Sequence, residues 1–429
     1  MLTQAPGMNR SYTFVFRQLS AFLISAFFCI ENVCAQPGCT DPQASNYSVG
    51  ATSNDGSCVY AATNLNLTRL AGLDTPLLDE SSGVSFFNDQ LWTHVDNTDA
   101  NIYRLDSSSG LSAQEITVVN ATNTDWEDIT TGNGYVFIGD FGNNSGNRSD
   151  LKILRLDQSS INDTSSVLIA EAIQFAYPDQ VDFTPALNAT RYDCEAFFYH
   201  NDSLHLFCKD WVNKHTRHYT VPAAPGFYMA TLVDSFDVDG LVTSAARASD
   251  GSIVLLGYDN VIPAPCFLWL LYDYSGTSIF SGNKRRFSLG TALNVGQVEG
   301  ICFRNNHFGY ITNERFQQLV FNVDPQLWSF DLGQYIQQVT TSVPQASSIP
   351  NQLLNWPNPF SSVTTFQLSE KISAGATLVL MNTEGKIVRT ENLDGTEFQL
   401  NRQSLTSGMY FYRVLQTDGP VFQGKIIVE

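Results

Sequence analysis

Positive charge is scarce in this 429-residue chain: 23 Lys and Arg face 42 Asp and Glu, a formal net charge of −19 and a pI near 4.6. Phosphate backbones and anionic bilayers need clustered Lys and Arg, so the balance argues against nucleic acid and anionic membranes as partners. Charge of either sign is thin, at 15% against roughly a quarter in average usage. The polar surface must then be carried by Asn, Ser, Thr and Gln. The longest apolar run falls short of the about 20 residues a membrane helix needs. G-x-S-x-G, a P-loop, H-E-x-x-H, C-x-x-C and zinc-ligand spacing are all missing. Their lack disfavours a motif-borne nucleophile or a zinc site; it does not touch sites assembled from single residues far apart in the chain.

What is present is a globular composition, 43% hydrophobic and 12% aromatic, which rules out disorder for the chain as a whole. The length predicts two or three domains. Residues 1–35 read as a secretory signal: Arg10 and Arg17, an apolar run from Leu19 to Ile30, then Val33-Cys34-Ala35 placing small residues at a cleavage site before Gln36. Export leaves Cys39, Cys58, Cys194, Cys208, Cys266 and Cys302. An even count in an oxidising compartment favours disulfides over metal binding.

Residues 38–60, GCTDPQASNYSVGATSNDGSCVY, resemble a short module of exported Bacteroidetes proteins with the pattern G-C-T-D-P-x-A-x-N-Y ending in D-G-S-C. Both cysteines stand where that pattern puts them. A unit spanning 36–62 is too short to bury a core, so a Cys39–Cys58 staple is the expected source of its order. Asp41, Asn46 and Asp55 are either oxygen ligands for Ca²⁺ or turn-forming side chains.

From 63 to 332 the texture is all-β. Apolar runs such as Val84–Phe87, Tyr135–Ile138, Leu204–Phe207 and Ile253–Tyr258 are broken by Gly, Asn, Asp and Ser. An internal theme recurs, with an acidic residue opening a strand, a turn, then a second apolar strand. Its openings fall at Glu80, Glu127, Glu195, Ala245 and Glu299, spaced 47, 68, 50 and 54 residues, Ala245 lacking the carboxylate. Such periods belong to propeller blades, five or six here, with Asn64–Leu70 closing the ring beside the last blade. Asp125-Trp-Glu-Asp-Ile, Ile138-Gly-Asp-Phe-Gly-Asn-Asn with Arg148, Asp193-Cys-Glu-Ala-Phe and Gln297-Val-Glu-Gly-Ile resemble a family of bacterial secreted β-propellers. That resemblance implies a fold and not a chemistry.

Residues 333–350 lose charge and gain Gln, Ser, Thr and Pro, as a linker does. Residues 351–429 resemble the C-terminal sorting domain of the type IX secretion system, type A-like. The resemblance rests on Pro357, Asn358, Pro359 and Phe360, on Gly408 and Tyr410 in a late strand, and on Gly424 and Lys425 in the last one. It implies recognition by the type IX machinery, removal of the domain, and release or surface attachment. The short alternating strands predict a small β-sandwich, with Pro357 and Pro359 holding the entry strand at a sheet edge. The expected fold class is therefore all-β: a five- or six-bladed β-propeller followed by a small immunoglobulin-like β-sandwich.

Glu80, Glu127, Glu195 and Glu299 are the candidate site. If each opens an innermost strand, four carboxylates meet at one end of the channel, where their repulsion is relieved by protonation or a cation, best Ca²⁺. The competing reading makes each a latch accepting N–H groups of the neighbouring blade. Asp125, Asp128 and Asp140 are close enough in sequence to join. His94 is a candidate general base or a packed residue. Lys214 to His218 form a basic patch or a solvated loop. Cys194 and Cys208 flank an Asn201-Asp202 turn and are expected to pair across it; Cys266 with Cys302 follows only by elimination. Two functions stand open: a secreted or surface binding module for an unknown extracellular ligand, or a Ca²⁺-dependent hydrolase of the lactonase or phosphoesterase kind.

Overall fold

The computed structural model describes residues 35–318, 320–336, 354–367, 376–383, 385–393, 395–415 and 422–429. The predicted signal segment and most of the predicted linker lie outside these. The chain divides after Ile336 into two compact units.

Five sheets of four or five strands, with two small two-stranded ones beside them, are described in the first unit, and the innermost strands of the five are Ser81–Phe87, Trp126–Gly132, Asp193–His200, Leu241–Arg247 and Gln297–Phe303. Each touches the next, and the fifth touches the first, so the sheets form a closed five-bladed propeller. Blades 1 to 4 are built outward from their innermost strand as four antiparallel strands, and blades 1, 2 and 4 add a fifth that pairs parallel at the outer edge. Blade 5 takes its fourth strand, Thr68–Gly72, from the N-terminal side of the ring, paired antiparallel with Gln326–Asp331. That closure is the one expected, although Thr63–Asn64 goes to the outer edge of blade 4 instead.

Unbroken apolar runs make sense in this architecture. A middle strand such as Ile253–Tyr258 is buried on both faces, because each blade packs against two neighbours. Five separate clusters fill the five clefts between blades, Trp126 and Val136 lying between blades 1 and 2 and Phe197 and Leu206 between blades 2 and 3. Two-residue turns with positive φ, Asn88-Asp89, Asn133-Gly134 and Asn201-Asp202, join innermost to second strands in blades 1 to 3.

The Cys39–Cys58 disulfide is present, and its module packs on blade 4. The buried Asp41 carboxylate accepts the hydroxyls of Tyr60 and Tyr272. The Arg285 guanidinium sits 5.1 Å over the Tyr60 ring and 4.5 Å over Tyr335. Tyr335 and Ile336, expected in the linker, pack against the propeller core.

The second unit is a two-sheet sandwich. Leu354–Trp356, Val363–Gln367 and Glu397–Asn401 form one sheet; Ile387–Asn392, Thr377–Met381, Gly408–Leu415 and Phe422–Val428 form the other. Leu354–Trp356 is an edge strand, where the prolines that follow cost no ladder bond. Tyr410, Tyr412 and Val414 point inward while Met409, Phe411 and Leu415 face out, the period-2 pattern of a half-buried strand.

Candidate functional site

In every blade the ladder between innermost and second strand slips at one place. Glu127, Glu195, Thr243 and Glu299 are the unpaired residues in blades 2 to 5, and Ser82-Gly83 in blade 1. A bulge re-aims the extra residue out of the ladder, and here it re-aims it at the same mouth of the channel. The blade 4 counterpart of the glutamates is thus Thr243, one turn of register away from Ala245, and in blade 1 it is Ser82. Glu80, expected among the four, stands before its strand and is exposed; its carbonyl accepts the Asp96 N–H at 2.9 Å. Three of the expected four, Glu127, Glu195 and Glu299, are buried, each at most 6% exposed; Glu80 lies exposed beside them, its charge acting on Asp96 and Glu314.

Second strands supply the rest of the mouth. Asp140, Lys209, Tyr258 and Glu314 each end a second strand opposite the start of an innermost one, and Asp96 lies just past Val95. Some of these carboxylates are matched. Glu195 pairs with Lys209 at 3.0 Å, and Asp140 with Arg148 at 2.8 Å and Lys152 at 2.6 Å. Asp193 accepts from the Asn143 N–H and, at 2.7 Å, from the Trp211 indole. Glu299 and Glu314 share the Gln297 amide. Asp96, Asp125 and Glu127 are different: their oxygens lie within 4.8 Å of one another, and among the described residues no ion pair neutralises them. The backbone of Gly142 closes the back of this trio, where a Cβ would run into Glu127 Oε1 and Asp125 Oδ2. The Asp140-Phe-Gly-Asn-Asn stretch and Arg148 build that wall, Arg148 donating to the Gly142 carbonyl at 2.9 Å.

Burial first, then mutual repulsion, raises these carboxyls: Asp96 to about 7 and Asp125 to about 6. Burial also raises Glu299 to about 7, and lifts Glu127, Glu195 and Glu314 well above the usual range. Lys209 stays charged because Glu195 and its neighbours outweigh the burial that opposes its charge. A carboxyl raised on folding holds its proton more tightly in the fold than in the unfolded chain. Stability is therefore highest below pH about 4 for these groups and is lost as pH climbs through 6 and 7. In chelator, the melting temperature is expected to fall by on the order of 5 °C between pH 5 and 7.5. A flat or rising profile in a calorimetric scan would contradict this charge arrangement.

Latching exists, but Asp128 performs it. One oxygen accepts from the Ile129 N–H at 2.9 Å and the Ser244 hydroxyl at 3.1 Å; the other takes the Phe197 N–H at 3.1 Å and the Ala245 N–H at 3.3 Å. Ser244 Oγ in turn accepts the Ile301 N–H, and Ser82 Oγ donates to the Glu127 carbonyl. Gly83 and Gly300 allow this close approach, since a Cβ on either would strike a neighbouring strand's backbone. His94 is fully buried beside Trp126, and burial lowers it to about 4. It is sealed from the mouth and serves no substrate there.

Other expected sites resolve into structure. Asn46 bonds the Ser57 carbonyl and the Val59 N–H, and Asp55 caps the Ser57 N–H, so the module's polar side chains make turns. The basic patch is neutralised: Lys214 pairs with Asp259, Arg217 with Asp179, and His218 with Asp234. The Cys194–Cys208 disulfide is corrected. The bulge at Glu195 does bring the two opposite each other, but they are free buried thiols, Cys208 donating to the Tyr177 hydroxyl at 3.3 Å. Cys266 and Cys302 are also free and lie in clefts on opposite sides of blade 5.

In the C-terminal unit the two ends of the predicted signature are one piece of structure. Asn358 accepts the Ile427 N–H at 2.8 Å and donates to the Lys425 carbonyl at 3.2 Å. Phe360, 1% exposed, exchanges backbone bonds with Ile427 and Glu429. Gly424 leaves room for the Tyr412 ring, and the Tyr410 hydroxyl bonds the Thr406 carbonyl. Pro357 and Pro359 frame this clamp, Gly408 opens its strand at φ 152°, and Lys425 is exposed.

Residues 355–429 match the family described as the secretion system C-terminal sorting domain. The C-terminal unit is a type IX sorting domain. The chain is thus exported by the type IX route, to the cell surface or beyond. No helix among the described residues is long and apolar enough to cross a membrane. No functionally curated protein matches the chain. Among solved structures it is similar to PorZ, a surface component of the type IX system of Porphyromonas gingivalis, at 15% identity and TM-score 0.31, over 81% of this chain and 45% of PorZ. It therefore spans less than half of that protein's length. An exo-β-1,3-galactanase from Phanerochaete chrysosporium is similar at 11% identity and TM-score 0.39, over 89% of this chain and 99% of that one. A gluconolactonase from Xanthomonas campestris follows at 11% and 0.33, over 60% and 73%. Likeness this distant bears on no chemistry.

Proposed function

We propose that this exported propeller is a binding module that holds a divalent cation, Ca²⁺ by its chemistry, at the Asp96, Asp125 and Glu127 trio, and presents it to an extracellular ligand. The observation that carries the reading is the unneutralised trio itself. Two oxygens sharing one Ca²⁺ at about 2.4 Å can stand no further apart than about 4.8 Å, and this trio's do not exceed 4.8 Å. A hard ion taking six to eight oxygens leaves positions for water or a ligand hydroxyl or carboxylate beyond three carboxylates. Hydrolysis on the same ion would have to take its base from a mouth carboxyl such as Glu299, because the histidine expected there, His94, is sealed.

Calorimetric titration with Ca²⁺ tests this. Binding is expected to raise the melting temperature, by the equivalent of about 2.7 kcal/mol at a hundredfold excess over Kd. Glu127→Gln should remove that rise while leaving the protein in chelator at least as stable as the parent, since Gln mimics a protonated Glu. Undiminished binding in that variant would place the ion elsewhere.

A further inference from the structure

The far end of the channel has the opposite chemistry. All five innermost strands converge there on a cavity of ≈ 90 Å³ lined by Phe86, Thr131, Tyr199, Arg247 and Phe303 among others, with no acidic residue in its wall. Arg247 is the last residue of blade 4's innermost strand. Its Nε is buried without a hydrogen-bond partner. Among the described residues the head makes one bond, from Nη1 to the Ala248 carbonyl, at a long 3.3 Å. No carboxylate pairs with it among the described residues. Arg285, Arg286 and Arg315 also carry an orphaned buried Nε; what marks Arg247 is a guanidinium with no carboxylate partner in the wall of a cavity, in a protein of net charge −19. Such a donor left unmade is costly.

We propose that this cavity is a small-oxyanion site, in which the Arg247 guanidinium takes the carboxylate or phosphate group of a ligand. The fork of N–H donors on an arginine matches two oxygens of either group. The cavity has room for such a group, and the rest of the ligand extends outward past Phe86, Tyr199 and Phe303 in its wall. The hydroxyls of Ser85, Thr130 and Thr131 stand in the same wall as further donors. This site is separate from the acidic mouth. Thr131 is four residues beyond Glu127, about 13 Å along a strand, and the Asp128–Ser244 lacing fills the channel between them.

The test is calorimetric titration of the purified protein in chloride buffer with inorganic phosphate and, separately, with acetate. One of the two is expected to bind one-to-one, and which one tells a tetrahedral from a planar oxyanion. Arg247→Gln should weaken binding by at least about tenfold, Arg247→Lys should retain part of it, and Glu127→Gln should leave it unchanged. Because Arg247→Gln alters a strand end, the same question is put to the parent: the bound anion should protect Arg247 from phenylglyoxal, read by mass spectrometry. No binding of either probe at tens of millimolar, equal affinity in a folded Arg247→Gln variant, or modification of Arg247 unaffected by the anion overturns the proposal.

Discussion

Asp128→Ala is expected to lower the melting temperature of the propeller by on the order of 10 °C. The variant leaves the Phe197 and Ala245 N–H groups and the Ser244 hydroxyl without an acceptor at a site closed to water. Buried donors orphaned in this way cost about 1–3 kcal/mol each, and the three belong to blades 3 and 4, so the loss loosens the ring rather than one sheet. Asp128→Asn keeps one carbonyl acceptor but turns an amide donor toward N–H groups, and should cost about half as much. Circular dichroism melts of the two variants decide the matter. A parental melting temperature in Asp128→Ala would mean that the channel is held by the interblade apolar clusters alone.

The second large effect lies in the sorting domain. Phe360→Ala removes a ring that is 1% exposed in the core of the sandwich, at a cost of about 3–5 kcal/mol. A unit of this size has little more stability than that to lose. Its C-terminal strand, held by Phe360 and Asn358, is expected to detach, and export by the type IX route to fall by more than about tenfold. Lys425→Gln, at an exposed position on the same strand, should leave the fold intact and so reports on recognition alone. Undiminished export of Phe360→Ala would separate sorting from the folded sandwich.

Much of this architecture is legible in the chain because burial on both faces leaves a plain mark. Runs such as Ile253–Tyr258 and turns such as Asn201-Asp202 announce strands and hairpins directly. The blade count stays open between five and six because the fourth strand of blade 5 is contributed from residues 68–72, far away in sequence. The site is harder. A bulge is a one-residue decision about register, and it makes Ser82 and Thr243, not Glu80 and Ala245, the counterparts of Glu127. Asp96, Lys209 and Glu314 belong to no motif, yet a signal for them exists: each stands where a second apolar strand ends, fourteen to sixteen residues after the openings at Glu80, Glu195 and Glu299. Asp128 was grouped with possible ligands, whereas its four donors make it the latch the glutamates were expected to be.

The most direct measurement of the cation site is luminescence of Tb³⁺, a hard trivalent stand-in for Ca²⁺, excited through tryptophan. Trp126 is buried next to Glu127 in the chain, so an ion held by Asp96, Asp125 and Glu127 should emit strongly and be displaced by excess Ca²⁺. Asp125→Asn and Glu127→Gln should each abolish most of the emission at neutral pH. Emission that survives both substitutions, or none in the parent protein, would contradict a cation at the channel mouth.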